Sequence, residues 1–182
     1  MTAGKIKVLS AVLAQDPGIG PGIGIVQHVP EKFTAAFAAR LDSICPSSVS
    51  EATDGDRVRP GRVLIAPGGR HMAVERDGAQ YRVRTTEGER VNRHKPSVDV
   101  LFESVASCAG RNALGVIMTG MGDDGARGLH QMRTAGAQTL GQDEQSCVVH
   151  GMPAAAKQSG AVEREIPLGD IAGAIQMFAG RR

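Results

Sequence analysis

The chain has few aromatic side chains: no tryptophan, one tyrosine and four phenylalanines among 182 residues. Surfaces that stack nucleic-acid bases depend on such side chains. The formal net charge is only +2, and basic and acidic residues are interleaved, so the sequence predicts no basic patch for a phosphate backbone. We therefore expect no nucleic-acid partner.

Long apolar runs are also missing. No stretch approaches the ~18–20 apolar residues of a membrane-spanning helix, and the N-terminus lacks the continuous apolar core of a signal peptide. The three cysteines, Cys45, Cys108 and Cys147, are widely spaced and lack metal-ligand spacing, which predicts reduced thiols. We expect a cytoplasmic protein with no membrane insertion, no metal and no cofactor, built as one domain over residues 1–182.

Helical and apolar strand patterns alternate along the chain, which indicates an α/β fold. Buried strands are predicted at Ile23–Gln27, Val63–Ala66, Ala113–Thr119 and Gln138–Gly141. Between Ser48 and Val91 the pattern changes to short alternating segments with a turn signal at Asp77-Gly78. That segment predicts an antiparallel β-hairpin at the edge of the sheet.

The glycine-rich segment from Gly115 to Gly128 carries two adjacent carboxylates after an apolar strand. A strand without a polar face is typical of a parallel sheet covered on both sides, and catalytic groups gather where such strands end. The turn therefore predicts that Asp123 or Asp124 faces a cleft. An aspartate that only caps the next helix explains the pattern equally well.

A second apolar strand, Ile23–Val26, also runs into a titratable residue, His28. A histidine and an aspartate at neighbouring strand ends supply two of the three groups of a nucleophile-activating relay. A hydrogen-bonded structural histidine is the alternative interpretation. The relay hypothesis predicts that His28 and Asp124 lie within or near hydrogen-bond range.

Five motifs in series resemble the catalytic domain of the chemotaxis receptor methylesterases, in that family's order and with similar spacing. The motifs are Gln27-His28-Val29-Pro30 with Phe33-Thr34, Ala66 to Met72, Pro96 to Phe102, Thr119 to Ala126, and Gln142 to Pro153. The resemblance extends from about Val8 to the C-terminus. It implies a doubly wound, mostly parallel α/β domain with helices on both faces of the sheet.

The resemblance also implies a serine hydrolase that removes methyl groups from glutamate methyl esters of methyl-accepting chemotaxis receptors and often deamidates receptor glutamines. By position, His28 matches the triad histidine and Asp124 the triad aspartate, whereas Asp123 falls where the family varies. Met121 lies beside the site, where its backbone N–H would help hold an oxyanion. The receiver domain of many members is not expected within residues 1–182.

The chain departs from the family pattern at the nucleophile. The family serine lies in a Gly-Ala-Ser-Thr-Gly-Gly turn after the first strand. Counting back without gaps from the helix that contains Val8 places Thr2 at the serine position and Ala3, a second oxyanion candidate, after it. Three explanations stay open: a truncated chain or a start further upstream, Thr2 acting as the nucleophile, or a pseudo-enzyme that keeps the receptor-binding scaffold.

The first strand of the family sheet has no counterpart in this sequence. An empty position inside a parallel sheet would leave backbone N–H and C=O groups unpaired on two strand edges. Residues 1–7 entering the slot, closure of the neighbouring strands, or a second copy of the chain would each compensate. We favour the last of these and expect a homo-oligomer.

Other polar residues are open to a structural interpretation. Ser146 is predicted to be a helix or loop cap rather than a nucleophile, because it does not lie in a glycine-flanked elbow. Ser97 is predicted to be an N-cap, because it follows Pro96 just before an apolar helix. His71 and His94 lie in family motifs outside the triad positions, and for them substrate contact and a structural role are equally compatible with the sequence.

Overall fold

The computed structural model describes residues 2–15 and 17–180, and the side chains of residues 7–15 and 17–180. The helices are α1 (Thr2–Leu13), α2 (Thr34–Asp42), α3 (Val98–Cys108), α4 (Ala126–Thr134), α5 (Met152–Gln158) and α6 (Leu168–Ala179). The strands are β1 (Ile23–Ile25), β2 (Ser48–Glu51), β3 (Arg57–Val58), β4 (Arg62–Ile65), β5 (His71–Asp77), β6 (Gln80–Thr86), β7 (Leu114–Ile117), β8 (Gln138–Gln142) and β9 (Arg164–Ile166).

The strands form two parallel sheets and one antiparallel sheet in the described part of the chain. The parallel sheets have the strand orders β1-β4-β2 and β7-β8-β9, and the antiparallel sheet has the order β3-β6-β5. Ile25 is aligned with Ile65 across β1 and β4, and Val116 with Leu140 across β7 and β8. The α/β architecture with parallel strands, predicted from the sequence, is confirmed.

Helices cover the parallel strands on both faces. Val63 and Ile65 of β4 pack with Leu9 and Leu13 of α1, whereas Leu64, between them in sequence, packs into the cluster that includes residues of α3 and α4. Successive side chains of a strand point to opposite faces, so the apolar run of β4 is buried on both sides. Helix α1 also reaches the second sheet, because Val12 packs with Leu140 and Ile171.

Strands β1 and β7 are edge strands in this arrangement, since β1 pairs only with β4 and β7 only with β8 among the described residues. The carbonyl of Ile25 accepts a hydrogen bond from the Ala66 N–H at 2.8 Å, so Ile25 directs its backbone toward β4. The backbone groups of Gly24 therefore point away from β4, and Gly24 is exposed. The parallel strands are divided into two sheets rather than joined in one.

The predicted hairpin is present as β5 and β6, with Gly78 at φ 60° in the turn. The second edge of β6 pairs with β3, and these three strands form an antiparallel sheet separate from the parallel ones. Strands β2 and β9 were not predicted, since each is short and partly polar. No helix within the described residues is long and apolar enough to cross a membrane.

The apolar spacing of the sequence predicts a helix near Val8–Ala14, whereas helix α1 spans Thr2–Leu13, so the predicted start is too late. The backbone of Thr2 and Ala3 therefore belongs to the first turn of a helix. The side chains of these two candidate site residues lie outside the described part of the structure.

Candidate active site

Gly125 allows the connection between β7 and α4 to place Asp124 in the interior. It precedes the first residue of α4 and has a left-handed backbone with φ 97°. A Cβ at this position would lie 2.6 Å from Val98 Cγ1, closer than side chains tolerate. Because Gly125 has no side chain, Asp124 can approach the N-terminus of α3.

Five hydrogen-bond donors converge on the Asp124 carboxylate, which is 0% exposed. Oδ1 accepts from Ser97 Oγ at 2.6 Å, from Asn92 Nδ2 at 2.9 Å and from the Asp99 N–H at 3.3 Å. Oδ2 accepts from His28 Nε2 at 2.7 Å and from the Val98 N–H at 2.8 Å. The amides of Val98 and Asp99 belong to the first turn of α3, whose helix dipole also favours a negative charge.

These contacts set the charge state of Asp124. Burial by itself would raise the pKa of Asp124, but the hydrogen bonds from His28, Ser97, the Val98 N–H and Asn92 outweigh burial and hold the pKa of Asp124 far below its usual range. The carboxylate is therefore ionised throughout the physiological pH range. It can hold the His28 imidazole and stabilise its charged form.

His28 lies three residues beyond β1, and its side chain is 18% exposed. Its Nε2 is 2.7 Å from Asp124 Oδ2, so the proximity of the two side chains expected from the strand ends is present in the structure. When Nε2 carries the proton donated to Asp124, Nδ1 of a neutral imidazole is the basic nitrogen. Nδ1 is thus the atom with which His28 would accept a proton from a nucleophile.

Ser97 has a different role from the predicted one. It occupies the N-cap position of α3, as expected, but its hydroxyl makes no capping hydrogen bond to that helix. The hydroxyl instead donates to Asp124 Oδ1. The cap prediction was wrong about the contact because a capping hydroxyl accepts from first-turn amides, and here the Asp124 carboxylate, 27 residues away in sequence, accepts from the Val98 and Asp99 N–H groups.

A tight turn at residues 91–94 contacts both His28 and Asp124. Val91 and His94 exchange backbone hydrogen bonds of 3.0 and 2.9 Å around Asn92 and Arg93, which have φ values of 50° and 68°. The Asn92 amide donates to Asp124 Oδ1 at 2.9 Å and also to Asp99 Oδ2 at 2.6 Å. The His94 ring stacks on the His28 ring.

His71 has a structural role, which settles one of the two open assignments. It is buried; its Nδ1 accepts from the Ser97 N–H at 3.3 Å, and its Nε2 donates to the Glu89 carbonyl at 2.8 Å. These contacts fix the segment that carries Asn92 and His94 against β5. Ser146 likewise has a structural role: its hydroxyl donates to Asp143 Oδ1 and accepts from the Leu168 N–H at the start of α6, at 2.9 Å, which fits the predicted cap.

The loop before Met121 is fixed by backbone hydrogen bonds. The Gly120 N–H donates to the Val149 carbonyl at 3.1 Å, and the Gly120 carbonyl accepts from the Met152 N–H at 2.8 Å. The Met121 side chain is 82% exposed and lies three residues before Asp124. Its backbone thus belongs to a well-anchored loop, a suitable support for the predicted oxyanion donor.

The described residues contain no group of three or more His, Cys, Asp or Glu side chains arranged to hold a metal ion. An imidazole paired with a buried, ionised carboxylate is an arrangement suited to activating a hydroxyl.

A profile of the CheB methylesterase family matches residues 1–175 of the chain. The chain belongs to the CheB methylesterase family. Among solved structures, the catalytic domain of the CheB methylesterase of Thermotoga maritima is similar, with a TM-score of 0.92 and 31% identity. The similarity covers 96% of this chain and 93% of the Thermotoga one, which supports the same α/β fold.

Curated CheB relatives are more similar in sequence. A protein-glutamate methylesterase/protein-glutamine glutaminase 2 of Albidiferax ferrireducens is 63% identical over 171 residues, covering 94% of this chain and 50% of the relative. Another, of Hahella chejuensis, is 64% identical over 167 residues, covering 92% of this chain and 45% of the relative. The chain therefore spans about half the length of these curated relatives.

Sequence reasoning missed four groups around the His28–Asp124 pair of this CheB-family site: Asn92, His94, Ser97 as a ligand of Asp124, and Asp99. All four come from the segment around the Pro96 to Phe102 motif, whose polar residues were assigned only as caps or left open. The sequence did contain a signal for these contacts. The polar residues come just before an apolar helix, and the N-terminus of a helix is a favourable site for a carboxylate such as that of Asp124.

Proposed function

We propose that this chain is a protein-glutamate methylesterase-type serine hydrolase domain that acts on methylated glutamates, and on certain glutamines, of chemotaxis receptors. The cytoplasm is its proposed compartment, and the receptor is its proposed protein partner. Membership of the CheB methylesterase family and the relatives named methylesterase/glutaminase support this proposal. The observation that carries it is the 2.7 Å contact between His28 Nε2 and the buried Asp124 carboxylate.

In the proposed mechanism, His28 is the general base and Asp124 orients it. His28 Nδ1 takes the proton of a hydroxyl as the hydroxyl oxygen attacks the ester carbonyl, and Asp124 stabilises the resulting imidazolium. The Met121 N–H donates to the oxyanion of the tetrahedral intermediate. Methanol leaves with the proton from His28, and a water molecule activated by the same base then hydrolyses the acyl-enzyme.

The nucleophile is the weakest member of the proposed site. Thr2 aligns with the family serine and Ala3 follows it, so we propose Thr2 as the candidate nucleophile and Ala3 as a second oxyanion donor. We expect esterase activity several powers of ten below that of a full triad, because without an activated nucleophile only oxyanion stabilisation and binding remain. The alternative is a non-catalytic protein that retains the receptor-binding scaffold.

The test is methanol release from a methylated receptor fragment by the purified chain. The variants are His28→Ala, Asp124→Asn and Thr2→Ala. Asp123→Asn is the matched control for Asp124→Asn, because Asp123 is the exposed neighbour of the buried Asp124. We expect slow release that His28→Ala and Asp124→Asn abolish and that Asp123→Asn leaves unchanged.

The result with Thr2→Ala separates the remaining possibilities. Loss of the residual activity identifies Thr2 as the nucleophile. Release at a normal enzymatic rate that Thr2→Ala leaves unchanged would refute both the impaired activity and the role of Thr2. If the chain releases no methanol but binds the receptor fragment, the binding alternative is correct.

A further inference from the structure

Gln142 is the last residue of β8, and it is completely buried, at 0% exposure. Burying a side-chain amide is costly unless both its oxygen and its nitrogen find partners. Gln142 Oε1 accepts from the Thr119 N–H at 2.9 Å, and Gln142 Nε2 donates to the Ser146 carbonyl at 2.8 Å. None of the roles assigned above uses the Gln142 side chain.

The two contacts of Gln142 join separate segments of the chain. Thr119 lies just beyond β7, in the connection that leads to α4, whereas Ser146 lies in the loop between β8 and α5. The parallel pairing of β7 with β8 ends at Ile117 and Gly141. The Gln142 side chain therefore holds the connection and the loop together immediately beyond the last paired residues of the two strands.

Farther from Gln142, the same two segments are in close contact. The Thr119 hydroxyl donates to the Val149 carbonyl at 3.0 Å and accepts from the Val149 N–H at 2.9 Å. The Gly120 N–H also donates to the Val149 carbonyl, at 3.1 Å. A Cβ at Gly151 would lie 2.7 Å from the Gly120 carbonyl oxygen, so the backbones approach too closely for a side chain. A shift of residues 146–151 would therefore also move residues 119–122.

The chemistry of the two contacts requires an amide at position 142. The Thr119 N–H needs an acceptor and the Ser146 carbonyl needs a donor, and a glutamine side chain supplies both. A leucine side chain supplies neither. A glutamate supplies both only in its protonated form, in which one oxygen accepts and the O–H group donates, because the ionised carboxylate has no donor.

We propose that Gln142 is a positioning residue that fixes residues 119–122, the connection that carries Met121, through its contacts with Thr119 and Ser146. This inference deepens the proposed function and rests on it only for its catalytic consequence, the placement of the oxyanion donor. The physical claim concerns the position of the connection after β7. It can therefore be tested without turnover.

The experiment measures amide hydrogen exchange in the full chain by NMR, with every rate expressed relative to that of the Leu140 N–H in the interior of β8. Gln142→Leu removes both contacts, and Gln142→Glu restores them only when the glutamate is protonated. Thr139→Val is the matched control. Thr139 is also buried on β8, but its hydroxyl accepts from the Glu163 N–H at 3.2 Å, toward the other end of the strand.

In Gln142→Leu we expect the Gly120 N–H to exchange roughly five- to thirtyfold faster, the ratio that corresponds to leaving one buried donor unpaired. The Gly120 N–H donates to Val149 and not to Gln142, so its acceleration reports movement of the connection. Thr139→Val should match the parent chain.

In Gln142→Glu the exchange rate of Gly120 should approach that of the parent at the same pH as the pH is lowered from about 8 to 5, because burial raises the pKa of a carboxyl above its ordinary value of about 4.3. If Gln142→Leu does not fold, Gln142→Asn takes its place with the same expectation, since its amide is one carbon shorter and falls short of the two contacts.

Two results would overturn the proposal: an unchanged relative exchange rate of Gly120 in Gln142→Leu, or equal effects of Gln142→Leu and Thr139→Val. Either would assign Gln142 a purely structural role. If the parent chain releases methanol, kcat should fall about tenfold or more in Gln142→Leu with KM unchanged, and an unchanged kcat would refute the catalytic consequence. An inactive parent chain would count against the proposed function and leave the exchange result valid.

Discussion

Asp124 shows at the residue scale how a buried charge is tolerated. Its two oxygens accept five hydrogen bonds from three separate segments, and no lysine or arginine of the described residues is paired with it directly. Its neighbour Asp123 is exposed. Two adjacent residues of the same chemistry thus differ completely in environment, which makes them a matched pair for experiment.

Asp124→Asn should destabilise the protein by about 2–4 kcal/mol, because an amide presents donors to groups that need an acceptor. Asp123→Asn should change the free energy of unfolding by less than about 0.5 kcal/mol, as exposed substitutions usually do. Urea denaturation followed by circular dichroism measures both values. Equal effects of the two substitutions would contradict the hydrogen-bond arrangement described for Asp124.

The lowered pKa of Asp124 also predicts a pH dependence of stability. The folded-state pKa of Asp124 lies below its unfolded value of about 3.9, so this stabilisation is fully present above that value and is lost as the pH falls toward the folded pKa. The difference in unfolding free energy between the parent and Asp124→Asn should shrink as the pH falls from about 4 to 2. A difference that grows over this range would contradict the lowered pKa.

At the scale of elements, the connection from β7 to α4 depends on two glycines with similar backbones and different surroundings. Gly122 and Gly125 have φ values of 92° and 97°. A Cβ at Gly122 would meet nothing within 4 Å, whereas one at Gly125 would lie 2.6 Å from Val98 Cγ1. Gly122 is required only for its left-handed backbone, whereas Gly125 is also required so that α4 can pack closely against Val98 of α3.

Gly122→Ala should therefore destabilise the protein by about 1 kcal/mol, the cost of a left-handed alanine. Gly125→Ala should cost about 1–3 kcal/mol more, because the added methyl group forces Val98 to move. Thermal or urea unfolding of the two variants measures the difference. Equal destabilisation would mean that α3 and α4 adjust freely around Gly125.

Elements were predictable where apolar residues dominate them. The strands that carry His28 and Asp124 were recognised because a run without polar residues must be buried on both faces. Strands β2 and β9 escaped recognition because polar residues in Ser48–Glu51 and Arg164–Ile166 obscure a short pattern. Their strand conformation comes from pairing with β4 and β8, which the sequence does not display.

At the scale of the whole molecule, the main feature is that the parallel strands form two separate sheets, and that β1 and β7 are not paired with each other. Both strands have an edge without a strand partner among the described residues. Half-buried apolar residues line these edges: Ile23, Ile25, Leu114 and Val116. Unpaired edges next to apolar surface promote pairing with other strands.

We predict that this chain is less stable than an ordinary domain of its size and self-associates through the β1 and β7 edges. Sedimentation should show a mass above that of the 19.0 kDa chain, increasing with concentration. Gly24→Pro removes the N–H that Gly24 directs away from β4 and should shift the protein toward monomer. Gly24→Ala keeps this N–H, and its added Cβ would lie no closer than 3.5 Å to its neighbours, so this control should leave the mass unchanged.

A monomeric parent chain with ordinary cooperative unfolding would contradict this prediction. It would show that the two edges are compensated within one molecule. An equal effect of Gly24→Pro and Gly24→Ala would instead show that association does not involve the β1 edge.

The sequence by itself determined the α/β class, the strand ends that carry His28 and Asp124, and the hairpin. These features follow from local patterns, since the hydrophobic period and the turn residues act over only a few neighbours. The family resemblance added the proposed chemistry and identified the nucleophile as the doubtful member of the site.

Only the tertiary structure decided how the site is held. Asn92, Ser97 and the α3 amides reach Asp124 from 25 to 32 residues away in sequence, and His28 from 96 residues away. The left-handed turn at Asn92 and Arg93 lacks the glycine that usually marks such a turn, so no sequence signal predicted it. The hydrogen bonds to the buried Asp124 carboxylate outweigh the preference of Asn92 and Arg93 for a right-handed backbone, because leaving that charge without donors costs far more free energy than a strained turn.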